Sequence, residues 1–183
     1  MARVKFVEKE QADPVIKEMF QKLEDRKVPV INLFKAMGNS PKVGRNFVRL
    51  GNSVLNPEIL DPKLRELAIL RVGKLLRSEY EFTKHVTIGR EVGVTEDQIG
   101  ELSSWASSKR FTDIERAVLQ YTDEVTLNVE VSDSTFSNLK RFFDDRAIVK
   151  LTVTIGYYGM VSRILVALQI ELEHGEKAFI PKY

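Results

Sequence analysis

Helix-start signals recur along this chain, and apolar residues follow each at helical spacing. Asp13-Pro14, Ser40-Pro41 and Asp61-Pro62 each set a capping side chain before a proline at the first helical position. Proline has no N–H to lose there, and the preceding oxygen can accept from an orphan N–H of the first turn. Ser78-x-x-Glu81, Thr95-x-x-Gln98 and Thr112-x-x-Glu115 each fit a capping box, in which two residues satisfy each other's backbone N–H. Apolar residues then return every three to five positions: Val15, Met19, Leu23; Leu64, Leu67, Val72, Leu75; Ile114, Val118, Tyr121, Val125. No run alternates with period two, so the fold class expected is all-α. Helices are expected near 13–25, 30–37, 41–54, 62–77, 79–92, 96–105, 113–127, 133–143 and 146–171.

A chain of 183 residues is expected to form one domain and can bury a core without disulfide or metal. The loops expected at 26–29, 55–61, 106–112 and 128–132 are too short to be domain linkers. The segments Leu60–Leu67 and Phe143–Leu151 resemble each other, and both open a long helix. A net charge of +2, with basic and acidic residues interspersed, offers no basic run to track phosphates, so no nucleic acid partner is expected. The absence of cysteine removes dithiol chemistry, thiolate nucleophiles and Cys-ligated zinc. The first residues, MARVKFVEKEQADP, lack the apolar core of a signal peptide. The most apolar stretch, Leu151 to Leu168, is broken by Arg163 and by Thr152, Thr154 and Ser162, which suits a core helix better than a membrane span. The expectation is a cytoplasmic protein with no membrane partner.

One constellation carries chemistry. Ser78, Glu81 and His85 are spaced three and four apart, which puts them on one face of a helix. Glu66 lies one helix earlier. A carboxylate beside an imidazole raises its pKa, fixes its tautomer and equips it for general acid/base work. Each residue also has a plain structural reading. Ser78 can cap its helix, Glu81 can complete the box, His85 can be a core residue with one satisfied nitrogen, and Glu66 can form a surface ion pair with Lys63, Arg65 or Lys74. Arg163, inside an apolar helix, needs a partner: a buried acid or a substrate carboxylate. Glu66, Glu81 and His85 could share a metal ion, but one histidine makes a sparse ligand set and no metal is expected.

The pattern Glu66, eleven residues, then Ser78-x-x-Glu81-x-x-x-His85 resembles the carboxymuconolactone decarboxylase and AhpD-like superfamily. Redox-active members of that superfamily place Cys-x-x-Cys at the positions of Ser78 and Glu81. Decarboxylase members carry a run close to E-L-x-x-H-V followed by N-G-V-T. Here the run is Glu81-Phe82-Thr83-Lys84-His85-Val86, then Gly93-Val94-Thr95, which is similar to a cysteine-free subgroup. The likeness is strongest over residues 61–102, with a weaker echo in Ile155 to Leu168.

The resemblance implies an AhpD-like domain over residues 1–183, with a helical extension to about residue 58 and a core over about 59–171. It implies a homo-oligomer, a trimer or hexamer. It also implies a lyase or isomerase acting on a small carboxylated compound, a lactone or an aromatic-derived molecule. In that reading His85 donates the proton, Glu66 and Glu81 orient and recharge it, Ser78 bonds the ligand and Arg163 grips a carboxylate. No cofactor is expected. Two alternatives stand beside it: a peroxidase-type relative that has lost its redox cysteines, and a non-catalytic helical binding or scaffold protein.

Overall fold

The computed structural model describes residues Met1 to Phe179. They form nine α-helices and no strand among the described residues: α1 (Pro14–Asp25), α2 (Asn32–Met37), α3 (Pro41–Leu55), α4 (Pro62–Leu75), α5 (Glu79–Glu91), α6 (Glu96–Glu101), α7 (Asp113–Leu127), α8 (Asp133–Leu139) and α9 (Asp145–Ala167). The all-α expectation is met. Starts fall where the capping signals put them. Asp13 accepts from Val15 N–H at 2.9 Å, and Asp61 accepts from Lys63 and Leu64 at 2.8 and 3.2 Å. Both threonine boxes close, at Thr95/Gln98 and Thr112/Glu115.

The ends differ from expectation at four helices. α4 stops at Leu75, α6 at Glu101, α8 at Leu139 and α9 at Ala167, each two to four residues early. Two of these stops are made by left-handed residues that are not glycine: Arg77 at φ 54° after α4 and Gln169 at φ 52° after α9. In both, the next N–H reaches back to close the helix, Ser78 to Gly73 O at 2.8 Å and Ile170 to Leu165 O at 2.9 Å. After α6 the chain tightens into a 3-10 turn, Leu102–Ser104.

The chain divides into two compact units. The first holds Met1–Leu55 and Ile164–Lys177. In it α1 buries Ile16, Met19, Phe20 and Leu23, one stripe of steps three, one and three, and packs on α3. Gly44 allows the close approach of α3 to the end of α2, because a Cβ there would come 2.7 Å from the Met37 carbonyl.

The second unit holds Asn56–Arg163, with Ala178 and Phe179. Its centre is α4, against which α5 and α7 pack. Ten consecutive α4 residues, Leu64 to Gly73, are buried, so this helix is enclosed on every side. Its three charged members therefore need internal partners. Arg71 forks onto both Asp123 oxygens at 2.6 and 2.9 Å, and Trp105 Nε1 donates to the same carboxylate at 3.0 Å. Arg65 and Glu66 find theirs in the candidate site. α9 is long and apolar enough to cross a membrane by length and composition alone. Leu151, Ile155, Tyr158 and Val161 on it are nonetheless buried in protein, and Tyr121 Oη lies 2.7 Å from Thr152 Oγ1.

Candidate functional site

The site forms where α5 turns back along α4. The three-residue link Leu76–Ser78 turns through the left-handed Arg77, and α5 then packs on α4. This puts His85 against Glu66, nineteen residues earlier, with Nδ1 2.6 Å from Glu66 Oε2. The other ring nitrogen, Nε2, lies 2.9 Å from Glu81 Oε1, one turn back on the same helix. Glu66 uses its second oxygen for Arg65, which donates from Nε at 3.0 Å and approaches with Nη2 at 2.9 Å. The result is an unbroken line, Arg65–Glu66–His85–Glu81, in which cation and anion alternate. None of the four is more than 6% exposed, and Glu66 is completely buried.

Burial alone would push His85 toward the neutral form. The Glu81 charge and the hydrogen bonds that the ring donates to Glu66 and Glu81 outweigh it, and the pKa is pushed up to about 10. Both ring nitrogens then carry protons, and both face acceptors. With His85 protonated, two positive and two negative charges sum to zero in a place that water does not reach. Tyr158 sets its ring edge-on to His85 at 4.8 Å, and Tyr157 packs on Tyr158 at 5.2 Å. Burial, and then the charge of Glu81, hold both tyrosine hydroxyls well above their usual range, so they remain donors at neutral pH.

A pH prediction follows. The unfolded imidazole titrates near 6.5 and the folded one near 10. A raised pKa contributes stability that is complete below pH about 6.5 and is lost as pH rises through about 10. Urea midpoints should therefore fall between pH 7 and pH 10, and His85→Gln should flatten that fall. The His85 ring, assigned by its loss in that variant, should remain doubly protonated at pH 8 in proton–nitrogen spectra. A neutral ring at pH 8 would refute the charge assignment.

The structure thus brings together Glu66, Glu81 and His85 of the residues singled out in the sequence. Three structural expectations need correction. Ser78 occupies the position that starts α5, but its side chain makes no capping hydrogen bond, and its buried hydroxyl has no partner. Its box stays open because Glu81 turns to His85 instead. Arg163 is exposed and donates from Nη1 to the Gly159 carbonyl of its own helix at 2.8 Å. It lies on the exposed side of α9 with Val149, Val153 and Met160, so solvent and a local carbonyl satisfy it. Glu66 makes a buried pair, not a surface one, while Lys63 goes to Glu115 at 2.7 Å. Arg65 is the residue that sequence reading undervalued. The available signal was its place in an apolar run, Leu64 to Val72, that leaves a charged side chain no route to water. Among the described residues, no group of three or more His, Asp or Glu side chains is arranged to hold a metal ion.

Comparison with known proteins places the chain in a family. The model of the carboxymuconolactone decarboxylase family matches residues 41–124, which contain Arg65, Glu66, Ser78, Glu81 and His85. A protein of unknown function from Agrobacterium tumefaciens, ATU0492, proposed to be an antioxidant defence protein AhpD, has a solved structure that is 30% identical. It covers 73% of this chain and 92% of its own, with a TM-score of 0.69. The chain belongs to the carboxymuconolactone decarboxylase and AhpD-like superfamily. The uncharacterized protein YnjA of Escherichia coli is 27% identical over 114 residues. That match covers 61% of this chain and 62% of YnjA, so the chain spans less than two thirds of that relative. An uncharacterized peroxidase-related protein of Ralstonia eutropha, with an AhpD core, has a TM-score of 0.82 over 94% of this chain and 93% of its own. At 17% identity it shares the fold alone. Glu81, the second residue of the Ser78-x-x-Glu81 pattern, is part of the carboxylate–imidazole line.

Proposed function

We propose that this chain is a carboxymuconolactone decarboxylase-like lyase or isomerase that moves a proton on a small carboxylated lactone or aromatic-derived compound. The observation that carries this reading is the line Arg65–Glu66–His85–Glu81, with nitrogen–oxygen distances of 3.0, 2.6 and 2.9 Å. Its geometry favours one change from the sequence expectation. Both His85 nitrogens are engaged, so the group that meets the substrate is Glu81. Loss of carbon dioxide breaks a carbon–carbon bond and leaves its electron pair delocalised onto a carbonyl oxygen. The Glu81 carboxylate takes a proton from His85 Nε2 and delivers it to that carbon, leaving His85 neutral until solvent returns the proton after product release. Glu66 holds the ring by Nδ1, and Arg65 holds Glu66 in place. Arg65 acts through Glu66 and is a positioning residue.

The test is incubation of the purified protein with carboxymuconolactone in deuterated water. Carbon dioxide release above the buffer rate, with deuterium fixed at carbon in the product, is the expected result. Folded protein that releases none would overturn it. A thiol peroxidase reading has no support in the residues, since no cysteine is present to be oxidised. One observation favours a second reading. All four charged side chains are buried, as in a purely structural charge cluster of a binding or scaffold protein.

A further inference from the structure

Three Ser/Thr-x-x-Glu/Gln motifs open helices in this chain, and the one at α5 is left unsatisfied. At α6 and α7 the threonine hydroxyl accepts from the third N–H of the helix, and the third side chain returns to the threonine N–H. At α5 the Glu81 side chain pairs with His85, and Ser78 makes no cap. Two consequences follow. The first backbone bond of α5 is Phe82 N–H to Ser78 O at 3.0 Å, which leaves the Glu81 N–H ahead of it without an intrahelical acceptor. The Ser78 hydroxyl is itself buried, with the residue only 2% exposed, and has no hydrogen-bond partner. Buried hydroxyls are nearly always paired, so an orphan of this kind needs an explanation. It lies three residues before Glu81 and seven before His85, on the same helical face.

We propose that the Ser78 hydroxyl and the Glu81 backbone N–H form an oxyanion-binding pair, which takes the carbonyl oxygen of a substrate whose adjacent carbon exchanges a proton with the Glu81 carboxylate. This deepens the proton-transfer reading above and rests on it. The ligand class follows from charge. A helix N-terminus favours negative charge, but Glu79 and Glu81 already occupy this first turn, and a permanent anion would meet their repulsion. A neutral carbonyl group, such as that of a lactone, brings no charge to this position, and any carboxylate of the substrate lies away from it. When the Glu81 carboxylate removes the proton, a C–H bond breaks, an O–H bond forms on Glu81, and the electron pair moves to the carbonyl oxygen. The negative charge is transferred from Glu81 to that oxygen, not added. Return of the proton to the same or a neighbouring carbon completes an exchange or an isomerisation without oxidant or reductant. The site is shut from water, so the two donors act at low dielectric, and a ligand enters by local opening of the wall.

The probe is 4-nitrophenol, whose phenolate is coloured and carries its charge on a ring oxygen, as an enolate does. It is titrated near its own pKa against wild-type protein, Glu81→Gln and the double variant Glu81→Gln with Ser78→Ala. Glu81→Gln, whose neutral side chain stands for the carboxyl group that has taken the proton, should bind the phenolate and increase its ionised fraction, and wild-type protein, with the Glu81 charge in place, should bind it at least tenfold more weakly. The double variant should bind at least tenfold more weakly than Glu81→Gln, while Ser78→Ala alone keeps or raises the melting temperature, because an unpaired buried hydroxyl has been removed. Equal binding by the double variant, no binding by Glu81→Gln at millimolar phenol, or a lowered melting temperature in Ser78→Ala would each overturn the proposal. The last outcome would make the hydroxyl a structural cap. If carboxymuconolactone is not turned over but phenolate binding still depends on Ser78, the decarboxylase reading falls and the oxyanion pair stands.

Discussion

Replacing Glu66 with leucine should cost the fold about 3–5 kcal/mol, the usual penalty for breaking a buried ion pair from one side. At about 2–4 °C per kcal/mol for a chain of this size, the melting temperature should fall by roughly 6–20 °C. The reason is specific to the site. Glu66 is wholly buried and faces two cations, Arg65 through one oxygen and His85 through the other. Leucine leaves Arg65 and His85 facing one remaining carboxylate, that of Glu81, in a place where water cannot compensate. The cluster changes from neutral to a net positive charge. His85 should then give up its proton more readily, and its pKa should come down from about 10. A companion variant separates this from simple loss of packing. Glu66→Leu combined with Arg65→Met removes both members of one pair and restores neutrality, so it should be more stable than Glu66→Leu alone. Thermal and urea unfolding of the three proteins measure this directly. A change of less than 2 °C in Glu66→Leu would mean that the four charges are not mutually dependent.

The second large effect is on rate. Glu81→Gln keeps the shape of the side chain but removes its ability to carry a proton. His85→Gln keeps a hydrogen-bonding side chain but cannot be protonated. Each should lower turnover of carboxymuconolactone by roughly 10²–10⁴, the range for one positioned proton donor. Because the two act as one relay, the double variant should be little slower than either single one. The scaffold reading expects something else. Both variants would still lose stability, but the two single effects on any measured rate would be small and independent. Glu81→Gln also bears on the helix start. Since Ser78 and Glu81 do not form a capping box here, any stability that the variant loses comes from the charge cluster, which it leaves with one excess positive charge, and not from a lost helix cap. If both variants keep full rate and lose only stability, the catalytic assignment is wrong.

The sequence by itself determined the class of fold and most helix starts, because those depend on short-range chemistry. Asp61 before Pro62 caps α4, and Thr112 with Glu115 closes the start of α7, wherever those helices are finally packed. Helix ends were less legible. α4 and α9 stop at Arg77 and Gln169, which take the left-handed conformation that glycine usually announces. The site was legible as spacing. Glu81 and His85 meet because they lie one helical turn apart, and that is local geometry. The partner of His85 on the other side was not local. Glu66 and Arg65 read equally well as a surface pair until α5 and α7 pack on α4 and take every side of it out of water. Burial then makes an ordinary Arg-Glu dipeptide into a pair that needs His85 and Glu81 to balance it. The same tertiary choice undid the capping box at Ser78. A carboxylate within reach of both a backbone N–H and a buried imidazolium goes to the charge, because the stronger interaction at low dielectric is the one between full charges. Arg163 shows the converse. An arginine in an apolar helix suggests a buried partner, but the rotation of α9 leaves it facing solvent, and one carbonyl of its own helix is enough.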